Sequence, residues 1–147
     1  MSDLVQDLLT AQQRLAGRSV RYNEAVARRL GVTPTDVKCL GLLIQRPHTP
    51  GELAAELELT ASAVTAVVDR LERAGYVRRE RSTVDRRQVA VHAVAEQAQR
   101  AIELHVPLYE RLAEVVRTYD EQQLATLLDY IERCADTFGD EADRLAT

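Results

Sequence analysis

Two helix-start signals lie only eleven residues apart, at Thr49 and Thr60, and that spacing constrains the fold more than any other feature. Thr49-Pro50-Gly51-Glu52 fits a capping box. The threonine oxygen takes the amide three residues on, Glu52 reaches back, and proline suits the first helical position. Leu53, Ala54 and Leu57 then give a helix of barely two turns. After Glu58 and Leu59, Thr60 caps a second helix that runs to about Ala74. Gly75 closes it where a left-handed backbone is tolerated. Two short helices joined by a three-residue turn predict a helix-turn-helix.

Past Gly75 the apolar period changes from helical to two. Val77 leads one strand, and Val89, Val91 and Ala93 alternate with Gln88, Ala90 and His92 in another. Between them RSTVD, residues 81–85, lacks the glycine of a tight turn, which predicts a long, mobile hairpin tip. A hairpin directly after a helix-turn-helix makes a wing.

The flanks read as helices. Leu4, Leu8, Leu15, Tyr22 and Val26 have a loose helical spacing that breaks at Gly17, and Gly31 ends the segment. Thr33-Pro34-Thr35-Asp36 starts a helix with the stripe Val37, Leu40 and Ile44, and Arg46-Pro47 ends it. Ala95 opens a long helical segment that Pro107 is expected to kink or divide. Asp120-Glu121-Gln122-Gln123 is a further capping-box pattern, leading Leu124, Leu127, Leu128, Ile131, Ala135 and Phe138 along one face. The predicted class is mainly α with a small β-hairpin wing. It is a single domain over 1–147, with a winged helix-turn-helix at 33–93 and dimerisation helices at 1–30 and 95–147.

Charge supports a polyanionic partner. Residues 70–87 hold seven arginines against Glu72, Glu80 and Asp85, a local balance of +4, while the whole chain carries −4. Everything outside that window therefore sums to −8, and charge segregated so sharply points to something of opposite sign. On a wheel of the second short helix, Val64, Val67, Val68 and Leu71 form the core stripe. Ser62, Ala66, Asp69 and Arg73 lie opposite, with Thr65 and Arg70 on the flanks. Small side chains at the N-terminal half let such a helix enter the DNA major groove. There the hydroxyls of Thr60, Ser62 and Thr65 meet bases or phosphates, and the Ala66 methyl meets a thymine methyl. Arg70 and Arg73 then reach the backbone or a guanine. Along the hairpin, Arg78, Arg79 and Arg81 suit phosphates, and Arg86 and Arg87 suit the minor groove.

At this point the sequence resembles the MarR family of bacterial transcription regulators. The resemblance rests on Val67-Val68-Asp69-Arg70-Leu71-Glu72-Arg73-Ala74-Gly75-Tyr76-Val77-Arg78-Arg79, on the triplet Asp85-Arg86-Arg87, and on the first helix-turn-helix element at 49–57. It implies a homodimer with interlocked terminal helices, a palindromic operator on double-stranded DNA, and repression relieved by a small-molecule effector or an oxidant. It also implies that Arg81, Asp85, Arg86 and Arg87 act in the wing, and that Asp69 pairs with Arg87 to orient it. Apart from the resemblance, the stripe from Leu124 to Phe138 is more than a small winged unit can cover, so a symmetry mate is expected. Two recognition helices would then lie about 34 Å apart.

Other classes find little support. The start, MSDLVQDLLTAQQRL, has two aspartates where a signal peptide wants a cation, and no apolar run suits a membrane span. A cytoplasmic protein without membrane partners follows as the expectation. There is no glycine-rich phosphate loop, no metal-ligand cluster, and no nucleophile with an oriented base, so no enzyme, metal or cofactor is expected. Cys39, beside Lys38, is the one candidate redox thiol; a buried, inert thiol is the alternative. Arg21, Tyr22, His48 and Tyr109 are candidates for lining an effector cleft. The runner-up function is a winged-helix module that contacts an acidic protein.

Overall fold

The computed structural model describes residues 3–146. The chain forms two compact units, one ending at Leu104 and the other beginning at His105. The first holds α1 (Asp3–Leu30), α2 (Pro34–Gln45), α3 (Pro50–Leu57), α4 (Ala61–Arg73), β1 (Val77–Arg81), β2 (Val89–Ala93) and the start of α5 (Ala95–Val116). The second holds the rest of α5 and α6 (Glu121–Ala146). The predicted class, mainly α with a two-stranded hairpin wing, is the observed one.

The caps explain where the helices begin. Thr33 and Thr49 each accept the amide three residues on, from Asp36 and Glu52, whose carboxylates in turn accept the cap amide. That backbone bond is also the main reason the Glu52 carboxyl sits below its ordinary range, with Arg46 adding to it. The Glu52 share of the α3 cap is therefore present above the usual glutamate pKa, and is lost as pH falls through the lowered value. Thr60 accepts from the Ala63 amide at 3.2 Å. Between α3 and α4, Glu58 takes a left-handed backbone at φ 53°. This costs a non-glycine residue about 1 kcal/mol and is offset by amide bonds back into α3 from Glu58 and Leu59. At Gly75, φ is +83°, as the stop after α4 requires.

The core sits under the helix-turn-helix. Leu40, Leu53, Val64, Val68, Leu71 and Val91 are fully buried, with Val26, Ala27 and Leu30 of α1 and Ala101 of α5 packed in the same cluster. Burying each large aliphatic side chain contributes about 1.5–3 kcal/mol. The α4 face predicted to be buried, Val64, Val67, Val68 and Leu71, is buried. Tyr76 fastens the start of the wing by donating its hydroxyl to the Leu30 carbonyl at 2.8 Å.

Strands β1 and β2 pair antiparallel from Val77↔Ala93 to Arg81↔Val89. A third piece joins them. The His48 amide donates to the Val91 carbonyl at 3.2 Å, and the Val91 amide returns to the His48 carbonyl at 2.8 Å. The connection between α2 and α3 is thus stitched to the base of the wing.

Two expectations differ from the structure, and of the two outcomes expected at Pro107 one does not occur. Helix α1 runs unbroken through Gly17, because one glycine weakens a long helix without ending it. Pro107 lies inside α5 and does not divide it, although the boundary between the units falls within a turn of it. In β2 the alternation fails towards the tip: Val89 is exposed, while Ala90 and Val91 are both buried.

In the second unit, Asp120 and Gln123 exchange backbone and side-chain bonds at 2.9 and 2.8 Å to start α6. No described residue of α6 is buried. Its stripe is open, with Ile131 61% and Phe138 67% exposed.

Candidate nucleic-acid interface

The N-terminal half of α4 presents small side chains to solvent. Ser62, Thr65 and Ala66 are exposed. Thr60 and Ser62 place their hydroxyl oxygens 3.2 Å apart. Thr65 donates to the Ala61 carbonyl at 3.0 Å, which leaves its oxygen lone pairs facing outward as acceptors. The positive end of the α4 dipole lies at the same place. The arrangement offers hydroxyls, a methyl and a partial positive charge with no bulk in the way.

Arg70 has a different situation from the one predicted for it. Its Nε lies 3.2 and 3.1 Å from the two carboxylate oxygens of Asp36, and its Nη2 lies 2.8 Å from Oδ1. The Asp36 side chain is completely buried and also accepts the Thr33 amide at 3.0 Å. One carboxylate therefore caps α2 and clamps α4. The hydrogen bonds it donates to Asp36 raise the Arg70 guanidinium above its ordinary range. With two of its three nitrogens engaged, Arg70 is foremost a clamp. Asp36 is the residue that sequence reasoning missed, because an acidic residue in a first turn is normally a solvent-exposed cap.

Asp69 is also paired, but not with Arg87. Its Oδ1 accepts from Arg79 Nη2 at 2.6 Å. Glu72, one turn further along α4, accepts the Arg79 Nη1 at 3.1 Å and the Arg79 amide at 3.2 Å. Two carboxylates of α4 thus hold one arginine of β1, which ties the wing to the helix at the wing's base rather than its tip. Arg78 in turn pairs with Glu80, and this bond is the main reason the Glu80 carboxyl sits below its ordinary range.

The hairpin tip, residues 82–88, is long as expected and is crossed by hydrogen bonds. Ser82 Oγ accepts the Val84 and Asp85 amides at 3.2 and 3.3 Å. Asp85 Oδ1 accepts the Arg87 amide at 2.9 Å. The Gln88 amide donates to the Asp85 carbonyl at 2.9 Å, and the Ser82 amide to the Gln88 carbonyl at 2.8 Å. These side-chain turns stand in for the missing glycine. Asp85, a predicted DNA contact, is here a loop-former. Arg73, Arg81, Arg86 and Arg87 are exposed, and among the described residues their side chains enter no ion pair.

The redox and cleft candidates resolve differently. Cys39 is fully buried, and burial, reinforced by the nearby Asp36 charge, pushes its thiol up to about 12. Lys38, exposed on the same helix, does not offset this. A maleimide should therefore label Cys39 only after denaturation; rapid native labelling of Cys39, read by mass spectrometry, would contradict its burial. His48 is buried, with Nδ1 2.9 Å from the Arg46 carbonyl. Tyr22 donates to the Leu104 carbonyl at 3.0 Å. Tyr109 is exposed and stacks on His105. Arg21 and Tyr22 line one surface hollow of about 300 Å³ with Arg18 and Arg28. Among the described residues, no group of three or more His, Cys, Asp or Glu is placed to hold a metal ion, and no helix is long and apolar enough to cross a membrane.

Comparison with known proteins agrees with this geometry. A family model described as "MarR family" matches residues 30–88, which run from the end of α1 to the wing tip. A Bacillus subtilis (strain 168) protein described as "uncharacterized HTH-type transcriptional regulator YcgE" is 35% identical over 145 residues, covering 98% of this chain and 94% of its own. Among solved structures, Streptococcus pneumoniae FabT in complex with DNA superposes with a TM-score of 0.73 at 21% identity, covering 94% of this chain and 99% of that one. The transcriptional regulator BldR from Sulfolobus solfataricus gives 0.61 at 26% identity, covering 90% and 99%. The winged helix-turn-helix, its basic hairpin and a relative matched over nearly its whole length lead to one conclusion: the chain belongs to the MarR family of DNA-binding transcriptional regulators.

Proposed function

We propose that this protein acts as a homodimeric, sequence-specific repressor that occupies a pseudo-palindromic operator in the cytoplasm and leaves it when a small-molecule or oxidant signal arrives. The winged region at 33–93 grips the duplex, and the segments at 1–30 and 95–147 join the two copies within one functional domain. One observation carries this reading. Of the seven arginines between 70 and 87, Arg70, Arg78 and Arg79 are neutralised inside the chain, whereas Arg73, Arg81, Arg86 and Arg87 are exposed and without an ion pair among the described residues. Four uncompensated cations on a helix end and a hairpin, beside a face of small side chains, suit phosphates and the minor groove. Ser62, Thr65 and Ala66 then face base edges. That FabT was solved with DNA supports the same use of the shared fold.

The dimer is supported by apolar surface that a single copy leaves open, including Leu128, Ile131 and Phe138 on α6 and Leu4, Leu8 and Leu15 on α1. Release by a ligand is supported by a hollow of about 480 Å³ bordered by Thr33, Asp36, Arg70 and Arg73. A molecule seated there lies against the exposed part of Arg70, whose other side clamps α4 to Asp36. The burial of Cys39 favours a small molecule over an oxidant acting at that thiol.

Selection from a randomised duplex pool, with sedimentation of the free protein, tests the proposal. The expected result is a dimer that recovers two half-sites about one helical turn apart. Its affinity should fall with salt by about 0.9 log units per phosphate contact for each log unit of salt. A monomer that enriches no consensus duplex would overturn it.

A further inference from the structure

Val84, at the wing tip, is 97% exposed, more than any other large hydrophobic side chain among the described residues. The others lie in runs on α1, α5 and α6, as Tyr119 between the last two, or, as Val89, on a wing strand. Val84 stands apart from all of them, between Thr83 and Asp85. Single exposed apolar residues are common, but the loop beneath this one is built to present it. Ser82 Oγ fixes the amide of Val84 and that of the next residue, and Asp85 closes the turn on Arg87 and Gln88. Valine adds a stiff χ1 of its own. Little freedom is left to lose when such a side chain meets a surface, so its burial on binding is only weakly opposed.

We infer that Val84 is a minor-groove reader whose two methyl groups favour A·T over G·C pairs beneath the wing tip. This rests on the DNA-binding reading above and deepens it. The walls of the minor groove are sugar C–H groups, which suit an apolar side chain. Its floor at A·T pairs carries only acceptors, whereas every G·C pair projects the guanine N2 amino group. A methyl over that amino group strips its water and returns no acceptor. Arg86 and Arg87, two and three residues on, favour the same narrow A·T-rich groove through its negative potential. The arginines respond to groove width and charge; Val84 adds a penalty against one chemical group.

The test uses the full-length protein and the tightest duplex that the wild type recovers from a randomised pool. Val84→Ser, at an exposed loop position, is expected to keep the wild-type melting temperature and salt slope while binding about five- to tenfold more weakly. Replacing the A·T pairs under the wing by G·C should weaken the wild type about tenfold. Replacing them by inosine·C, which lacks the N2 amino group, should restore binding. Val84→Ser should discriminate the three duplexes less than the wild type, keeping only the part of the A·T preference that Arg86 and Arg87 supply. Arg86→Ala should retain the A·T preference and lose salt slope. Equal binding by wild type and Val84→Ser, a consensus without A·T at that place, or inosine·C as poor as G·C would each overturn the inference while leaving the operator reading intact. Failure of the wild type to enrich any duplex would instead remove both.

Discussion

Replacing Asp36 with alanine should lower the unfolding free energy by about 3 kcal/mol. Two losses combine. The Thr33 amide loses its acceptor and the α2 capping box falls to half, which typically costs about 1 kcal/mol. The remainder comes from a buried carboxylate that receives three charge-assisted contacts from Arg70. The Arg70 side chain is 40% exposed, so water solvates the cation left behind, and the figure stays below what a fully buried pair would give. The reverse change, Arg70→Ala, strands the buried partner and should cost at least as much. Asp36→Asn, which keeps an acceptor for Thr33, should cost about half. Urea unfolding with an unchanged m-value reads all three. A loss below about 1 kcal/mol for Asp36→Ala would mean the clamp contributes little to holding α4.

The second large effect concerns the duplex. Changing Arg86 and Arg87 together to alanine should weaken operator binding about a hundredfold at moderate salt and reduce the log–log salt slope by about 1 to 2. Arg78→Ala supplies the contrast. Its guanidinium is occupied by Glu80, so its removal should leave both affinity and slope close to wild type. Fluorescence anisotropy across a salt series separates the cases. If Arg78→Ala costs as much as the double change, the division between neutralised and uncompensated arginines does not govern binding. Charge counted along the sequence would then be the better guide.

The sequence made the helix starts and stops legible because their causes are local. A threonine, a proline and an acidic residue within four positions decide a cap, and Gly75 decides an end. The α4 core stripe was legible for a similar reason, since a period of 3.6 needs no knowledge of what lies opposite. Of the candidate site, the charge and the exposure of the small side chains Ser62, Thr65 and Ala66 were legible. Its wiring was not. Asp36 and Arg70 are 34 positions apart, and the His48–Val91 bridge spans a comparable distance in sequence, so no local pattern announces either. Capping-box acids are usually wet, and nothing in Asp36 itself marks it as buried. The Asp69–Arg79 pair is only 10 positions long, and it was within reach of sequence reasoning. Asp69 and Glu72 share one helix face, and the chain turns back on them immediately after Gly75, which brings the first strand's arginines close and leaves the tip far away. The length of the tip was legible, but not its hydrogen bonds, because a serine and an aspartate make the turns there in place of a glycine.

The stitch at His48 has a mechanical corollary. Strand β2 is fastened at Val91 to the segment between α2 and α3, and β1 is fastened through Arg79 to α4. The hairpin is therefore one arm of a frame whose other arm is the recognition helix, not a free flap. A torque that turns the helix carries the arm with it, so in the proposed complex both contacts with the duplex would be surrendered in a single movement rather than by degrees.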